Sequence, residues 1–478
     1  MLRNRLLVSI GLLALTLVAG CGGGSNSSFS GGGGGGATTA PFSLTMRDDP
    51  PAGVDVISFE VNVIGATLGP NGPDLLAGKG PIEIEVKRLE VETAFLSTAN
   101  VPVNSGPFSS LSLIFANPEL TFQNNTKPPV TIAGCAPGAV CQIKPTGTLT
   151  ANVTLNPALT ISANNPTGMQ VDVNLAKLLS NSLGVDFSNG SITITQSQVQ
   201  PGGELEDVDD VAGTVVKVDT GASTFDIQTS QNTTLTGIKV DDNTKFEDCT
   251  GNPVNFANCV HVNDKVEVDL KLQPDGTKVA KKIEQQNEEA NEEDLEGIIT
   301  SVDTAANTIQ MVAVENLSLL PSTILGSPVT ISVANNAKFQ VKQKGLKVDP
   351  ALVSSFNSIN SLLVGQNVEV RRRSGDGSSS SSPIVTDRVR LRMSRFTAPV
   401  KSKTGANTFT VDSSGIGLFH NAKPAAIDQI NVDASQAEFE PKSVTVSSLQ
   451  AGDSVSLRGL LFGPAANATL VAGKVRKR

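Results

Sequence analysis

The residues with the clearest chemical potential are arginines. The stretch VEVRRRSGDGSSSSSPIVTDRVRLRMSR, residues 368–395, places Arg371, Arg372 and Arg373 before a Ser/Gly run and Arg388, Arg390 and Arg392 after it. Alternate residues of a strand share a face, so Arg388, Arg390 and Arg392 fall on one side and Val389, Leu391 and Met393 on the other. Residues 374–382 read as a flexible hairpin tip that brings both arginine sets together. Guanidinium forks grip carboxylate and phosphate oxygens. The expected site is therefore an anion-binding patch of Arg371, Arg373, Arg388, Arg390 and Arg392. Its ligand would be an acidic polysaccharide, lipopolysaccharide or a neighbouring acidic domain. The competing expectation is a solvated charged face that discourages edge-to-edge strand pairing.

Other candidates are weaker. Histidine, the usual acid-base group and zinc ligand, occurs twice, as His261 and His420. His261 reads as a partly buried loop residue, and no acid or nucleophile is signalled beside His420. Asp219-Thr220-Gly221 looks like the DTG signature of aspartic proteases, which need a second facing aspartate. The chain has no second DTG, and the corresponding positions of its internal repeats read Asp303-Thr304-Ala305 and Lys403-Thr404-Gly405. An interchangeable aspartate reads as hairpin-turn chemistry. No G-x-S-x-G nucleophile elbow is present. The acidic stretches lack the alternating oxygen ligands and glycine turn of a calcium loop. The expectation is no catalytic residue, no metal and no cofactor, with an uncharacterised hydrolase as third reading.

The start of the chain carries a different chemistry. Arg3 and Arg5 precede the apolar run LLVSIGLLALTL, which is shorter than the roughly 20 residues that span a bilayer. A basic start before a short apolar run reads as a secretory signal peptide over residues 1–20. It ends Leu17-Val18-Ala19-Gly20-Cys21, which resembles the lipobox of bacterial lipoproteins. That resemblance implies a diacylglycerol on the Cys21 sulfur and a mature chain held in a membrane by lipid. Gly22 stands where aspartate would resemble an inner-membrane retention signal, which points to the outer membrane. Residues 21–40 then form the lipidated cysteine and a Gly/Ser tether with a reach of roughly 25 Å.

Export sets the reading of the remaining cysteines. Cys135 and Cys141 form one local pair, Cys249 and Cys259 another. In an oxidising compartment such pairs read as small-loop disulfides.

The elements that must carry these groups are strands. Short runs rich in Val, Ile and Thr alternate with polar residues and are punctuated by Gly, Pro, Asn and Asp, which predicts an all-β protein. Short helices are expected only at residues 174–183 and 351–363. Residues 41–203 predict a β-sandwich-like domain. Its opening FSLTMRDDPPAGVDVISFEVNVIGATL and its later LSTANVPVNSGPFSSLSLIFANPELTF resemble a bacterial lipoprotein domain family of unknown function. Pro107-Phe108 and Ser112 stand where members usually carry tyrosine and arginine.

The rest is an internal repeat. GTVVKVDTGASTF at 213–225 recurs as GIITSVDTAANTI at 297–309 and, in part, as TGANTF at 404–409. DDNTKF at 241–246 recurs as ANNAKF at 334–339, and VNDKVEV at 262–268 as VGQNVEV at 364–370 and AGDSVSL at 451–457. Four or five strands per copy predict three small OB-like or SH3-like β-barrels at 208–286, 295–395 and 396–478. The acidic run at 287–294 reads as a solvated linker. The copies resemble a second uncharacterised family of exported repeat domains, with Thr397 standing in the third copy where the first glycine should be.

Composition narrows the partners. The net charge is -9, and loss of Arg3 and Arg5 with the signal makes the mature chain more acidic, which disfavours nucleic acid. The chain has no Trp and no Tyr, the residues that build most sugar-stacking platforms. The sequence therefore predicts a non-catalytic, membrane-anchored lipoprotein that binds or scaffolds at the cell envelope. Its partners would be the membrane, through the lipid, and an acidic envelope polymer or another envelope protein. The runner-up is a surface adhesin or acidic-polymer binder working through the arginine hairpin.

Overall fold

A computed structural model describes residues 39–478 except 50–54, 77–80, 96–100, 164–166, 189, 197–205, 230–233, 250, 274–276, 287–291, 317–325 and 374–383. The fold is all-β. Cys21 and its tether lie outside the described residues.

The first domain is built from two sheets around one core. Strands Thr39–Asp49, Ala94–Phe95, Val101–Asn104, Thr167–Asn174 and Ile192–Gln196 form one sheet. Strands Asp55–Gly69, Ile82–Glu85, Gly106–Gln123, Val140–Ile143 and Thr150–Ile161 form the other. The alternation read in the sequence sets their inward faces: Phe59, Val61 and Val63 are buried while Glu60 and Asn62 between them are half-buried. Phe42, Phe59, Phe115 and Phe122 anchor the shared core, and Phe115 stacks on Phe187 with centroids 4.1 Å apart. This is the expected sandwich, with one parallel pairing between Thr39–Asp49 and Thr167–Asn174.

Each repeat copy closes on itself. In copy one, strands Glu206–Asp219, Thr224–Thr229, Thr234–Lys239, Lys265–Leu272 and Lys278–Gln285 run 3-2-1-4-5 across the sheet, and a parallel pairing of Ile238 with Lys278 joins strand three to strand five. Copy two, from Glu292–Asp303 to Ile384–Arg392, is a closed five-stranded barrel with the same neighbours. Copy three, from Ser394–Lys403 to Thr469–Lys477, repeats the order and the parallel closure. Order 1-2-3-5-4 with parallel strands three and five is that of an OB barrel, so of the two expected barrel types the OB-like one is present.

Three details differ from the sequence reading. The helices are shorter: Leu175–Leu178, capped by the Asn174 side chain, and Pro350–Ser355, capped by Asp349 and followed by a 3-10 turn at Ile359–Ser361. The acidic run is not all linker. Strand one of copy two begins at Glu292, so the backbone of Glu292, Glu293 and Asp294 lies opposite Arg373, Arg372 and Arg371 in register. The third copy starts at Ser394, two residues before the expected boundary.

The missing glycine of copy three also has an answer. Gly213 and Gly297 lie opposite Val266 and Val368, and in copy three Ala398, not Thr397, lies opposite Val455. The first turn of copy three is one residue shorter, which shifts the alignment. A Cβ on Gly297 would sit 2.3 Å from the Val312 carbonyl oxygen. In copy three, strand two ends at Asp412 and its pairing stops at Val400–Val411, so no partner strand crowds Ala398.

Candidate functional site

The arginines share a face, but not a solvent-facing one. Val389 and Leu391 point into the barrel core, and Arg388, Arg390 and Arg392 line its outside, where carboxylates meet them. Arg388 donates to both oxygens of Asp294 at 2.5 Å. Arg390 donates to Glu369 at 2.6 Å and to Gln340 at 2.9 Å. Arg371 pairs with Asp387 at 2.9 Å. Arg392, 2 % exposed, donates to Glu296 at 3.0 Å and to Glu267 of copy one at 2.7 Å, with Glu369 and Glu284 at 3.6 and 3.8 Å. The Arg373 side chain lies outside the described residues. The expected open anion patch is corrected: its guanidinium forks are occupied by the chain's own acids, Asp294, Glu369 and Asp387 from copy two itself and, at Arg392, Glu267 and Glu284 from copy one.

This knot belongs to a wider ionic junction. Glu92, just past the 3-10 turn Val86–Glu90 of the sandwich, meets Arg395 of copy three, Arg88 at 3.5 Å and Arg458 at 3.3 Å. Arg476 donates to the Leu89 and Glu90 carbonyls at 3.2 and 3.1 Å. Asp209 of copy one meets Lys474 of copy three at 3.1 Å, and Arg88 pairs with Glu315 of copy two. Burial alone would push the Glu296 carboxyl up, but Arg392, Arg88, Arg395 and Lys344 outweigh it and hold it at about 2. Glu284 is likewise held low against its burial by Lys344, Arg392, Lys342 and Lys282.

A second charged group lacks such compensation. Glu60 is flanked in register by Glu85 and Glu119 on the adjacent strands. Burial, then Glu85, Glu83 and Glu119, push its carboxyl up to about 8. Glu85 accepts hydrogen bonds from Ser58 Oγ, Phe59 N and Lys87 N, and burial raises its pKa as well.

The smaller expectations resolve locally. His261 is an exposed loop residue rather than a partly buried one, 3.3 Å from Asp264. His420 is half-buried and 2.7 Å from Asp428. Asp219 accepts from Ala222 N at 3.0 Å, which is a turn contact, and Asp303 does the same for Ala305 and Ala306. Cys135–Cys141 and Cys249–Cys259 are disulfides.

Two clefts open between modules. One, of about 1020 Å³, lies between the sandwich and copy three, where half-buried Asp55 accepts from Leu418 N and from Asn125 at 2.8 Å. The other, of about 1110 Å³, lies over strands four and five of copy one and is walled by all three copies. Eight of its lining residues are Lys or Arg and five are Asp or Glu, so it is cationic in a chain of net charge -9. Its acids are engaged: Asp269 with Lys282 at 3.1 Å, Glu438 with Lys281 at 3.0 Å, and Asp241 in its own turn through Asn243 N at 2.9 Å. Burial raises the Glu247 carboxyl. Sequence reading missed this cleft because its cations are scattered from Lys239 to Arg458 and only the packing of three copies gathers them. The adjacent Lys281-Lys282 and the spacing Lys344-x-x-Lys347 were the local signals.

The fold and site define a sandwich followed by three OB-like barrels joined by buried charge. Within it, residues 210–284 are a domain of the family described as "Domain of unknown function (DUF5666)". None of the curated proteins matches the chain. A solved structure titled "drosophila Unr CSD456" is similar at 13% identity, covering 56% of this chain and 97% of that one, with a TM-score of 0.14. A likeness of that degree supports no reading of fold or function.

Proposed function

We propose that this protein is a non-catalytic lipoprotein of the bacterial envelope, held to a membrane by lipid on Cys21, whose role is binding or scaffolding. One observation carries the binding-or-scaffold half. Arg392, Glu296 and Glu284 sit where modules meet, Arg392 bonding Glu267 of copy one at 2.7 Å and Glu296 of its own copy at 3.0 Å, Lys342 meeting Glu284 at 3.3 Å, and both carboxyls are held low by these cations. Charge is used for assembly, in contrast to an enzyme, where perturbed groups converge in a cleft on a reacting atom. The anchored half rests on the lipobox-like Leu17–Cys21 run and on two disulfides that suit an oxidising compartment. Outer-membrane placement and membership of all three copies in one family belong to the same proposal. The test is fractionation and protease shaving of intact cells. Wild type stays with membranes and Cys21→Ala is released to a soluble fraction. Release of wild type, or retention of the variant, defeats the anchor. Cleavage on intact cells distinguishes surface display from a periplasmic position.

A further inference from the structure

The cleft over copy one has the properties of a ligand site that the closed arginine face lacks. Its walls come from copy one through Lys239, Lys245 and Lys271, from copy two through Lys347, and from copy three through Arg458. Lys239, Lys245 and Lys347 are exposed and make no ion pair among the described residues. The inner cations Lys281 and Lys282 are tied to acids. The cleft thus has a neutralised floor and a rim of free ammonium groups. A concave wall lined by one sign of charge focuses the field and raises the local concentration of the opposite ion. Lysine is a point charge without the bidentate fork of arginine, so it suits a flexible anion of variable geometry.

The lining also says what the anion is. It holds no phenylalanine, and the chain has no Trp or Tyr, so no aromatic face is available on which to stack a base or a sugar ring, and recognition rests on charge and amide hydrogen bonds. Between the lysines stand Asn243 and Gln273, whose amides donate to and accept from hydroxyls. Spaced charge interleaved with hydroxyl-binding amides fits a chain of acidic sugars. We propose that this three-copy cleft binds a carboxylate-bearing polysaccharide through Lys239, Lys245 and Lys347. This deepens the binding role proposed above, and it does not depend on the tether.

The test uses the purified full chain and three probes: polygalacturonate, neutral dextran and single-stranded oligothymidylate. Binding is read by affinity electrophoresis and calorimetry. Polygalacturonate binds at about 50 mM salt and weakens as salt rises, because rim charges are screened. The combined variant Lys239→Ser, Lys245→Ser, Lys347→Ser binds about tenfold more weakly, each exposed contact being worth roughly two- to threefold. Replacing Lys127, Lys177 and Lys423, exposed lysines outside the cleft, leaves binding unchanged. Dextran does not bind. Failure of wild type to bind polygalacturonate, equal binding by the rim variant, or equal loss in the control trio overturns the site. Oligothymidylate binding as tightly as polygalacturonate overturns the polysaccharide assignment. The anchor is read separately by fractionation, so either reading fails alone.

Discussion

Arg392 is the residue on which two barrels turn. It is buried, and its neighbours Glu267, Glu284, Glu296 and Glu369 come from both copies. Removing one partner of a buried ion pair leaves the others uncompensated, a cost of about 3–5 kcal/mol. Arg392→Ala should lower stability by that amount in urea titrations, and Arg392→Lys should recover little because an ammonium cannot reproduce the fork. A loss of under about 0.5 kcal/mol, the scale of exposed pairs, would show that water reaches the knot. Glu60 makes the opposite case. Its folded pKa, about 8, lies above the ordinary glutamate value of 4.5. The folded state therefore holds a proton that the unfolded state has lost between those values. The stabilising contribution is complete below 4.5 and fades as pH rises through about 8. Stability should fall from pH 5 to pH 8.5, and Glu60→Gln should flatten that slope and raise stability at the alkaline end. An unchanged slope in the variant would assign the titration elsewhere.

At the scale of the element, the glycine that opens each repeat shows how far sequence reading goes. The recurring runs GTVVKVD and GIITSVD fall on strand one in copies one and two, as the alternation predicts. The alignment fails by one residue in copy three, because the shortened turn moves Ala398 into the glycine position. Gly297→Ala should destabilise by about 1–3 kcal/mol, the usual cost of forcing atoms into a packed site. Ala398→Gly should cost only about 0.5–1 kcal/mol, through backbone entropy. Thermal melts of the two variants compare them directly; equal losses would mean that neighbouring strands do not decide the residue. The disulfide between Cys249 and Cys259 closes a short loop before strand four of copy one. Its removal by paired Cys→Ser changes should cost about 2–4 kcal/mol through the freed unfolded chain.

Periodicity carries strands, turns and cysteine pairs because each is a local property. It put Arg388, Arg390 and Arg392 on one face correctly, since alternation is geometry. Whether that face meets water or another module is decided by residues as distant as Glu267 and Asp294, and one-dimensional pattern has no access to it. The same holds for the lysine cleft, whose rim needs two copies to exist.

For the whole molecule, the ionic junction predicts how the modules unfold. Each module has its own hydrophobic core and would by itself melt independently. Copy two and copy three also share apolar contact, Leu460, Phe462 and Val471 of copy three packing into the core of copy two. Copy one has no such share in a neighbouring core among the described residues; its ion pairs to the others include Lys344 and Arg392 to Glu267, Lys342 to Asp248 and Glu284, Lys281 to Glu438 and Lys474 to Asp209. Buried pairs are little screened, so wild type should keep copy one coupled at high salt. Calorimetry should then show copy one melting with its neighbours. Combining Arg392→Ala with Lys474→Ala should split off an earlier transition of about the size of one small barrel, while copies two and three still melt together. If the double variant keeps a single transition, Arg392 and Lys474 are not the pairs that couple the first barrel, and adding Lys342→Ala, Lys344→Ala and Lys281→Ala separates the remaining charge from apolar packing. If wild type already shows the separate transition, the buried pairs contribute no coupling.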